Sequence, residues 1–311
     1  MAALCIGGWN LSSQIIQCAA NFSEGRDTWI CEAIVDSARR SSDAVIADYS
    51  WDTDHNRMVL SLLGGPEAIR KGIFGAAKRA VALIDLRVHR GAHPRLGAVD
   101  VIPLVPIREI TMDECIDLSR LVGGDIADGL GVPVFFYERS AAATHRTSLA
   151  EIRRGGYEAL AAQELVGDCA PDLGPSRVHP SAGAVVIGAR GPLVAYNINL
   201  DTRDTGIAKA IARKIRSGEG GLIGVRSIGV WLAARRLAQV SMNVIRPDEA
   251  PLRAVFEFVE SEARKLGVEV AESEIIGLVS RKYLEGASPE LLKAKTFKPT
   301  QILEYWLDRV A

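Results

Sequence analysis

The residues best suited to chemistry lie in one stretch, residues 86–100, which reads Leu-Arg-Val-His-Arg-Gly-Ala-His-Pro-Arg-Leu-Gly-Ala-Val-Asp. It gathers two histidines, three arginines and an aspartate around glycine and proline residues that favour a loop. Pro94 moves His93 out of helical backbone and stiffens the loop there. Histidine titrates near neutral pH and can carry a proton between two amines, whereas arginine forks suit carboxylates. The stretch therefore predicts a site that binds an acidic substrate beside a proton carrier, His93.

The two histidines also admit other interpretations. His89 and His93 have the four-residue spacing of metal ligands on one helix face. Gly91 and Pro94 would break such a helix, and no nearby cysteine or acidic pattern completes a ligand set. A surface or capping role is the ordinary alternative for a loop histidine. We predict that His93 is functional and that the site holds no metal.

Two further polar loops carry candidate binding residues. Asn21-Phe22-Ser23-Glu24-Gly25 follows a short strand and precedes a helix, so its polar side chains either bind a ligand or cap the helix. The loop from Ser50 to Arg57 is too long and polar for a tight hairpin. Its Asp-x-Asp-His cluster suggests a metal, but a polar loop that covers a sheet is the simpler explanation.

Regular elements must position these loops. Over the first hundred residues the apolar patterns follow the order β-α-β-β-α-β, and a helix to about Leu130 and a strand near 135 extend the same sheet. The order recurs in the second half, beginning with one strand over residues 184–198. This predicts an α+β fold of two ferredoxin-like βαββαβ subdomains.

The connection between the halves, residues 139–182, is irregular and rich in arginine, glycine and proline. Connections of this length are usually functional or linkers. With the junction between Gly174 and Gly183, we expect an N-terminal subdomain over residues 1–178 and a C-terminal one over 179–311. Gly218 to Gly221 predicts a turn, and residues 280–311 look helical with a solvated lysine face.

Composition narrows the class of protein. A formal net charge of −1 and a pI near 6.5 argue against a dedicated nucleic-acid binder. No segment reaches the roughly 18 uncharged apolar residues that span a bilayer, and the N-terminus lacks a signal-peptide pattern. We therefore expect a cytoplasmic protein that binds neither nucleic acid nor membrane. Five scattered cysteines predict small core residues in a reducing compartment rather than disulfides or zinc ligands: Cys5, Cys18, Cys31, Cys115 and Cys169.

Several separate motifs resemble the glutamate formimidoyltransferase family, in its monofunctional form without a cyclodeaminase domain. They occur in consistent order from about residue 15 to 305. They are Cys18-Ala-Ala-Asn-Phe-Ser-Glu-Gly25, Asn56-Arg57, His89-Arg-Gly-Ala-His-Pro-Arg-Leu-Gly-Ala-Val-Asp100, Gly174-Pro175, His179-Pro-Ser-Ala-Gly-Ala184, Ala195-Tyr-Asn-Ile-Asn199 and Ala238-Gln-Val-Ser-Met-Asn243.

The resemblance implies a two-part transferase with a substrate groove or tunnel between its halves. The family moves the formimino group of N-formimino-L-glutamate to N5 of tetrahydrofolate, a co-substrate, and releases L-glutamate in histidine degradation and one-carbon metabolism. His93 matches the catalytic histidine, which takes a proton from N5 and gives one to the leaving nitrogen. Charge and position make Asn21, Ser23, Asn56, Arg57, Arg90 and Arg95 the candidate substrate-binding residues. The folate-binding stretch corresponds to Gly174, Pro175, Ser176, Arg177, Val178, His179, Pro180, Ser181, Ala182 and Gly183.

Two alternatives stay open at the level of sequence. The same His93 would also serve formyl transfer between 5-formyltetrahydrofolate and glutamate, and the donor that turns over distinguishes the two reactions. Paired ferredoxin-like halves can instead form a folate or small-molecule sensor without catalysis, which would tolerate loss of His93. The expected partners are these small molecules, and exposed sheet edges together with the family suggest a homodimer.

Overall fold

A computed structural model describes residues 13–216 and 220–309. Cys5, the N-terminal residues, and Gly218 and Glu219 of the predicted turn lie outside the described residues. Of the other cysteines, Cys18, Cys31 and Cys115 are buried free thiols, as predicted, whereas Cys169 is exposed. Burial raises the pKa of the Cys18 thiol to about 12.

The N-terminal part is a six-stranded sheet with helices packed against it. Strands β2, β3, β1 and β4 pair antiparallel in that order, which is the ferredoxin-like arrangement predicted from the sequence. Strand β6 then pairs parallel with β4, and β5 pairs parallel with β6. The elements are β1 (Ile15–Phe22), α1 (Thr28–Ser41), β2 (Val45–Asp52), β3 (Arg57–Gly64), α2 (Pro66–Leu83), β4 (Val99–Arg108), α3 (Met112–Leu130), β5 (Val134–Phe136), α4 (Leu149–Ile152), α5 (Gly156–Ala161) and β6 (Val185–Ala189).

Local sequence explains where the long helices begin. Pro66 occupies the first turn of α2, where its missing N–H costs nothing. Thr111 and Glu114 form a reciprocal capping box at the start of α3. Asp27 caps α1 by accepting from two backbone N–H groups. The apolar faces of these three helices share one core with the sheet, and the side chains of Ile34 and Ile73 are completely buried there.

The C-terminal part repeats the arrangement in a four-stranded antiparallel sheet, with strand order β10-β7-β9-β8. Two helices and the sheet share a separate core. The predicted second βαββαβ unit is thereby confirmed. Its elements are β7 (Val194–Leu200), α6 (Thr205–Ile215), β8 (Val225–Leu232), β9 (Leu237–Val244), α7 (Leu252–Lys265) and β10 (Val270–Ile276), and a short helix α8 (Leu303–Leu307) lies near the end.

Two expectations for the second half differ from the structure. The single strand expected over residues 184–198 is two strands that belong to different sheets, because the chain leaves the first sheet after Ala189 and enters the second at Val194. The first sheet therefore continues past the expected boundary between residues 178 and 179. The tail after residue 280 is largely irregular rather than helical, with only short helical turns within residues 281–309.

Polar contacts join the two parts of the molecule. The loop between β2 and β3 reaches the hairpin between β8 and β9. There Asp54 Oδ1 accepts a hydrogen bond from the backbone N–H of Ala234 at 2.7 Å. The guanidinium of Arg235 bridges the carboxylates of Asp52 and Glu274. No helix within the described ranges has the length and apolar character to cross a membrane.

Candidate active site

The predicted histidine loop connects α2 to β4 and is fixed by backbone hydrogen bonds on two sides. Leu86 N–H donates to Ser181 O at 2.8 Å, and Ala98 N–H donates to Ala182 O at 2.9 Å. On the other side, Ala92 N–H donates to Asp54 O at 3.1 Å. Gly97 permits the close approach, since a Cβ there would lie 2.0 Å from the carbonyl oxygen of Ala184. The loop is thus held between the turn before β6 and the β2–β3 loop.

His93 is half-buried, and its Nδ1 has two competing partners. Arg57 Nη1 lies 2.6 Å from Nδ1, and the carbonyl oxygen of Pro94 lies 2.8 Å from it. The guanidinium only donates and the carbonyl only accepts, so each favours a different tautomer of His93. With a lone pair on Nδ1, the proton is on Nε2; with a proton on Nδ1, Nε2 carries the lone pair. The surroundings of Nδ1 therefore fit either neutral tautomer of His93.

The surroundings of His93 favour its neutral state. Burial and the positive charges of Arg57 and Arg153 hold the pKa of His93 well below the ordinary histidine value of 6.5. A neutral imidazole at physiological pH is available to accept a proton. The role of His93 as a proton carrier stays a prediction.

A buried carboxylate organises the cations around His93. The side chain of Asp100 is 1% exposed and accepts from Arg57 Nη1 at 3.3 Å and from Arg153 Nη2. Its other oxygen accepts from the backbone N–H of Leu96 at 2.9 Å. Asn21 Oδ1 fixes the opposite side of Arg57 by accepting from Nε at 3.0 Å. One carboxylate thus serves two guanidinium groups, which leaves an excess of positive charge beside His93.

His89, the other histidine of the loop, has a structural environment. Its Nε2 lies 2.9 Å from Asn56 O, and its Nδ1 accepts from Arg95 Nε at 2.9 Å. Arg95 in turn pairs with both carboxylate oxygens of Glu158 in α5. Both ring nitrogens of His89 are therefore occupied. Within the described ranges, no group of three or more His, Cys, Asp or Glu is arranged to hold a metal ion.

Three other candidate binding residues hold loops together. Ser23 does not cap α1; its hydroxyl donates to Gly97 O at 2.7 Å and so ties the end of β1 to the histidine loop. Asn56 is buried, accepts from Gly25 N–H and donates to Arg90 O, both at 2.9 Å. The exposed Arg90 side chain donates to Arg87 O and His89 O of its own loop. Of the predicted substrate-binding set, Arg57 is the residue that the fold brings against His93.

The predicted folate-binding stretch, residues 174–183, lies next to the histidine loop at its C-terminal end. His179 and Gly183 exchange backbone hydrogen bonds at 2.8 and 2.9 Å, and Gly97 forms a β-bridge with Gly183. The Tyr157 hydroxyl donates to Pro180 O at 3.0 Å. The N-terminal end of the stretch is exposed, and Arg177 there pairs with Glu164. The stretch thus combines an ordered turn against the two ends of the histidine loop with an exposed segment at residues 174–177.

The structure adds site residues that the sequence patterns did not single out. Arg153 follows α4 in the irregular connection, and its only signal was the basic composition of that segment. Asp100 belonged to the predicted stretch without an assigned role. His55 lies in the β2–β3 loop, and its ring centroid is 6.0 Å from that of His93. Its only signal was the polar cluster around it.

Fold and site together define a class of protein: a two-part α+β protein in which a histidine of lowered pKa lies beside an excess of positive charge. Comparisons with known proteins agree with this class. The family description "Formiminotransferase domain, N-terminal subdomain" matches residues 15–190, and "Formiminotransferase domain" matches residues 195–301. The chain therefore belongs to the formiminotransferase family.

Two relatives of similar length carry the name glutamate formimidoyltransferase. The chain is 42% identical over 293 residues to "Glutamate formimidoyltransferase" of Streptococcus pyogenes serotype M1, covering 94% of this chain and 98% of the relative. It is 37% identical over 299 residues to "Glutamate formimidoyltransferase" of Thermoplasma acidophilum, and the match covers 96% of this chain and 98% of that protein. "Formimidoyltransferase-cyclodeaminase" of Sus scrofa is 40% identical over 283 residues, which cover 89% of this chain and 52% of that protein.

Proposed function

We propose that this protein is a glutamate formimidoyltransferase, which transfers the formimino group of N-formimino-L-glutamate to N5 of tetrahydrofolate and releases L-glutamate. The observation that carries the proposal is His93, whose Nδ1 lies between Arg57 Nη1 at 2.6 Å and Pro94 O at 2.8 Å. The name and the nearly full-length match of the Streptococcus and Thermoplasma relatives support it. Formyl transfer, the alternative left open by sequence, has no comparable support.

The reaction needs one proton removed and one supplied. A bond forms between N5 of the folate and the formimino carbon, and the bond from that carbon to the glutamate nitrogen breaks. Tetrahydrofolate, as substrate, supplies the nucleophilic N5. With its proton on Nδ1, directed to Pro94 O, His93 accepts the N5 proton at Nε2. His93 then gives that proton from Nε2 to the departing glutamate nitrogen and returns to its neutral form, with the other proton still on Nδ1 and directed to Pro94 O.

The cations around His93 suit the charge of the substrates. Arg57 and Arg153 share the single carboxylate of Asp100, so the site has a net positive charge that attracts the carboxylates of glutamate. The Arg57 guanidinium is 17% exposed on its side chain and keeps donors that Asn21 and Asp100 do not use. We propose that Arg57 binds a substrate carboxylate and orients the formimino carbon toward His93. Asn21 positions Arg57 rather than contacting substrate.

We propose that the folate lies along residues 174–183 and between the two halves of the chain. The supporting observation is the turn at His179, whose Nδ1 accepts from the backbone N–H groups of Ser181 and Ala182 at 3.4 and 3.1 Å. This turn is ordered by its own side chain and is hydrogen-bonded to the histidine loop at Leu86 and Ala98, so it offers a preformed surface against that loop. Arg177 and Arg190 supply positive charge for the acidic tail of the folate.

The cellular setting is also part of the proposal. We propose that the protein acts in the cytoplasm, in histidine degradation and one-carbon metabolism, as a homodimer. The names of the relatives support the transfer chemistry that these pathways use. For the dimer, the support is that β2 forms an outer edge of the first sheet and carries Tyr49 and Trp51 in ring contact there.

The direct test mixes purified protein with tetrahydrofolate and N-formimino-L-glutamate and follows glutamate release. His93→Gln should lower kcat by about 10²- to 10⁴-fold, the usual contribution of a positioned acid–base group. His145→Gln is the matched control and should keep full activity, since this histidine is exposed and its Nε2 lies 3.3 Å from Asp168 O. Turnover of 5-formyltetrahydrofolate with glutamate but not of the formimino donor would establish the formyl alternative. Folate binding without turnover of either donor would support the sensor.

A further inference from the structure

A second buried imidazole, His55, lies beside His93 and takes no part in the proton transfer described above. Its side chain is 7% exposed, and its Nδ1 has no hydrogen-bond partner among the described residues. Its ring centroid is 6.0 Å from that of His93. Burying an unpaired acceptor is costly, so an unmatched nitrogen next to a candidate active site calls for a ligand group that completes it.

A chain of hydrogen bonds from the C-terminal sheet fixes the tautomer of His55. This series of hydrogen bonds begins at the carboxylates of Glu272 and Glu274, which accept from Asn199 Nδ2 at 3.1 and 3.4 Å. Arg235 donates to Glu274, which holds that carboxylate in its accepting role. Because a carboxylate accepts, the Asn199 amide must direct its nitrogen toward it and its oxygen away.

The orientation of the Asn199 amide determines the next two hydrogen bonds of the series. Asn199 Oδ1 accepts from Gln239 Nε2 at 2.8 Å, so Gln239 Oε1 faces His55. His55 Nε2 lies 2.9 Å from Gln239 Oε1 and must therefore carry the proton. The amides of Asn199 and Gln239 are completely buried, so water does not compete for these bonds. The hydrogen bonds thus select Nε2–H over Nδ1–H as the tautomer of a neutral His55 ring, and in that tautomer Nδ1 presents a lone pair.

This polarity bears on the choice of one-carbon group. The nitrogen of a formimino group carries at least one hydrogen in both its protonation states and can donate to a lone pair. The oxygen of a formyl group carries none, so it would place a lone pair against the lone pair of His55 Nδ1. Nε2 is the atom that contacts Gln239, so Nδ1 is not used in that bond, and the ring that carries it lies 6.0 Å, centroid to centroid, from the ring of His93.

We propose that His55 Nδ1 accepts a hydrogen bond from the formimino nitrogen of the substrate and makes His55 the residue that selects formimino over formyl donors. The inference rests on the proposed function and deepens it. His93 moves protons at the two nitrogens that exchange the one-carbon unit, whereas His55 contacts the third nitrogen, which stays on that unit throughout. A site that offers a fixed acceptor rejects a ligand lacking the donor more strongly than an apolar pocket would.

Two substitutions at His55 separate this role from simple packing. The Gln side chain can place an amide N–H where Nε2–H lies, and the Asn side chain can place an oxygen where Nδ1 lies. His55→Gln should therefore keep the bond to Gln239 but lose the acceptor, and His55→Asn should retain an acceptor near Nδ1. Gln239→Leu leaves His55 in place but releases its tautomer, so that Nδ1 is free to carry a proton toward a formyl oxygen.

The experiment measures kcat/KM for N-formimino-L-glutamate and for N-formyl-L-glutamate, each with tetrahydrofolate. We expect the wild-type preference for the formimino donor to fall by about 10- to 100-fold in His55→Gln, the usual loss for one charge-assisted hydrogen bond. His55→Asn should prefer the formimino donor more strongly than His55→Gln does. Gln239→Leu should show a weaker preference than the wild-type protein, because its turnover of the formyl donor rises. Circular dichroism and thermal melts identify any variant that fails to fold.

The outcomes separate the inference from the proposed function. If the wild-type protein releases no glutamate from the formimino donor, the proposed function fails. If the wild-type protein is active but His55→Gln lowers both donors equally, or leaves their ratio unchanged, His55 is structural and the inference is overturned. An independent readout is the ¹H–¹⁵N spectrum of the histidine rings, five in the whole chain. A protonated Nδ1 and unprotonated Nε2 on His55 in the free protein would also overturn it.

Discussion

Replacing Asp100 with Asn tests whether one buried carboxylate holds the cations of the site together. The Asp100 side chain is 1% exposed, and those of its partners Arg57 and Arg153 are 17% and 10% exposed. An Asn oxygen can still accept from Leu96 N–H, but it removes the only negative charge that these contacts supply to the two guanidinium groups. Breaking one partner out of a buried ion pair costs about 3–5 kcal/mol, because the remaining charge stays desolvated.

The expected loss is therefore about 3–5 kcal/mol in the free energy of unfolding, and about 6–20 °C in Tm at roughly 2–4 °C per kcal/mol for a unit of this size. The assay is equilibrium urea unfolding, followed by tryptophan fluorescence and by circular dichroism so that separate unfolding of the two parts would be detected. Asp117→Asn is the matched control, since its pair with Arg120 is 72% and 61% exposed and should contribute under about 1 kcal/mol.

A double-mutant cycle makes the test specific to the network. In Asp100→Asn, the two guanidinium groups beside His93 no longer share a carboxylate. Removing one of them with Arg153→Met lowers the uncompensated positive charge and should recover part of the lost stability. Contacting charges of this kind couple by about 0.5–3 kcal/mol. A loss in Asp100→Asn no larger than that of Asp117→Asn, or full additivity with Arg153→Met, would refute the reasoning that Asp100 compensates both cations.

Three further outcomes are expected. Burial and the charges of Arg57 and Arg153 lower the pKa of His93, so the acid limb of a kcat/KM against pH profile should lie below pH 6.5. Because Arg57→Gln removes one of these charges, it should move that limb to higher pH. A limb at the same pH in both proteins would contradict this. Since the folded pKa of His93 lies below its unfolded value, His93 should destabilise the fold as pH falls below 6.5, with a slope of at most about 1.4 kcal/mol per pH unit, and urea unfolding of His93→Gln should show a weaker pH dependence. Gly25→Ala would place a Cβ 2.3 Å from Asp52 O and 2.6 Å from Arg57 N. It should lower the free energy of unfolding in urea by about 1–3 kcal/mol and lower kcat. The control Gly124→Ala is in a helix, where the added Cβ would meet no neighbouring atom within 4 Å, and it should be neutral or stabilising.

Most of the fold follows from local patterns in the sequence. Both βαββαβ units and the strand after Leu130 were predicted, because period-2 and period-3.6 apolar patterns and the caps at Pro66 and Thr111 are local signals. The division of residues 184–198 between two sheets was not predicted. Both pieces are apolar, and which sheet each joins depends on partners far away in the chain, such as Val101 for Val186. That β6, beyond the expected limit at residue 178, joins the first sheet was not predicted for the same reason.

The site divides in a similar way. His93 was predicted from its own loop, and Arg57 was among the candidate residues, because charge and turn chemistry can be read within a few positions. The ion pair between Arg153 and Asp100 joins residues 53 positions apart, and the bond between His55 and Gln239 joins residues 184 apart. Residues so far apart in the sequence show no local pattern that would indicate their pairing. The residues that position and surround His93 therefore required the three-dimensional structure.

The contact between the histidine loop and the turn before β6 also sets an order of events during synthesis. Gly97 bridges Gly183, and the bonds from Leu86 to Ser181 and from Ala98 to Ala182 span comparable lengths of chain. At about 5–20 residues per second, the ribosome needs about 4–17 s to produce the 86 positions between the bridged glycines. During that interval the strands before the loop can already pair, while the loop itself has no partner on this side. A nascent chain stalled before residue 183 would therefore carry His93 on a loop held on one side alone, through Ala92 and Asp54, so the segment around His93 should be one of the last parts of the N-terminal half to become fully ordered.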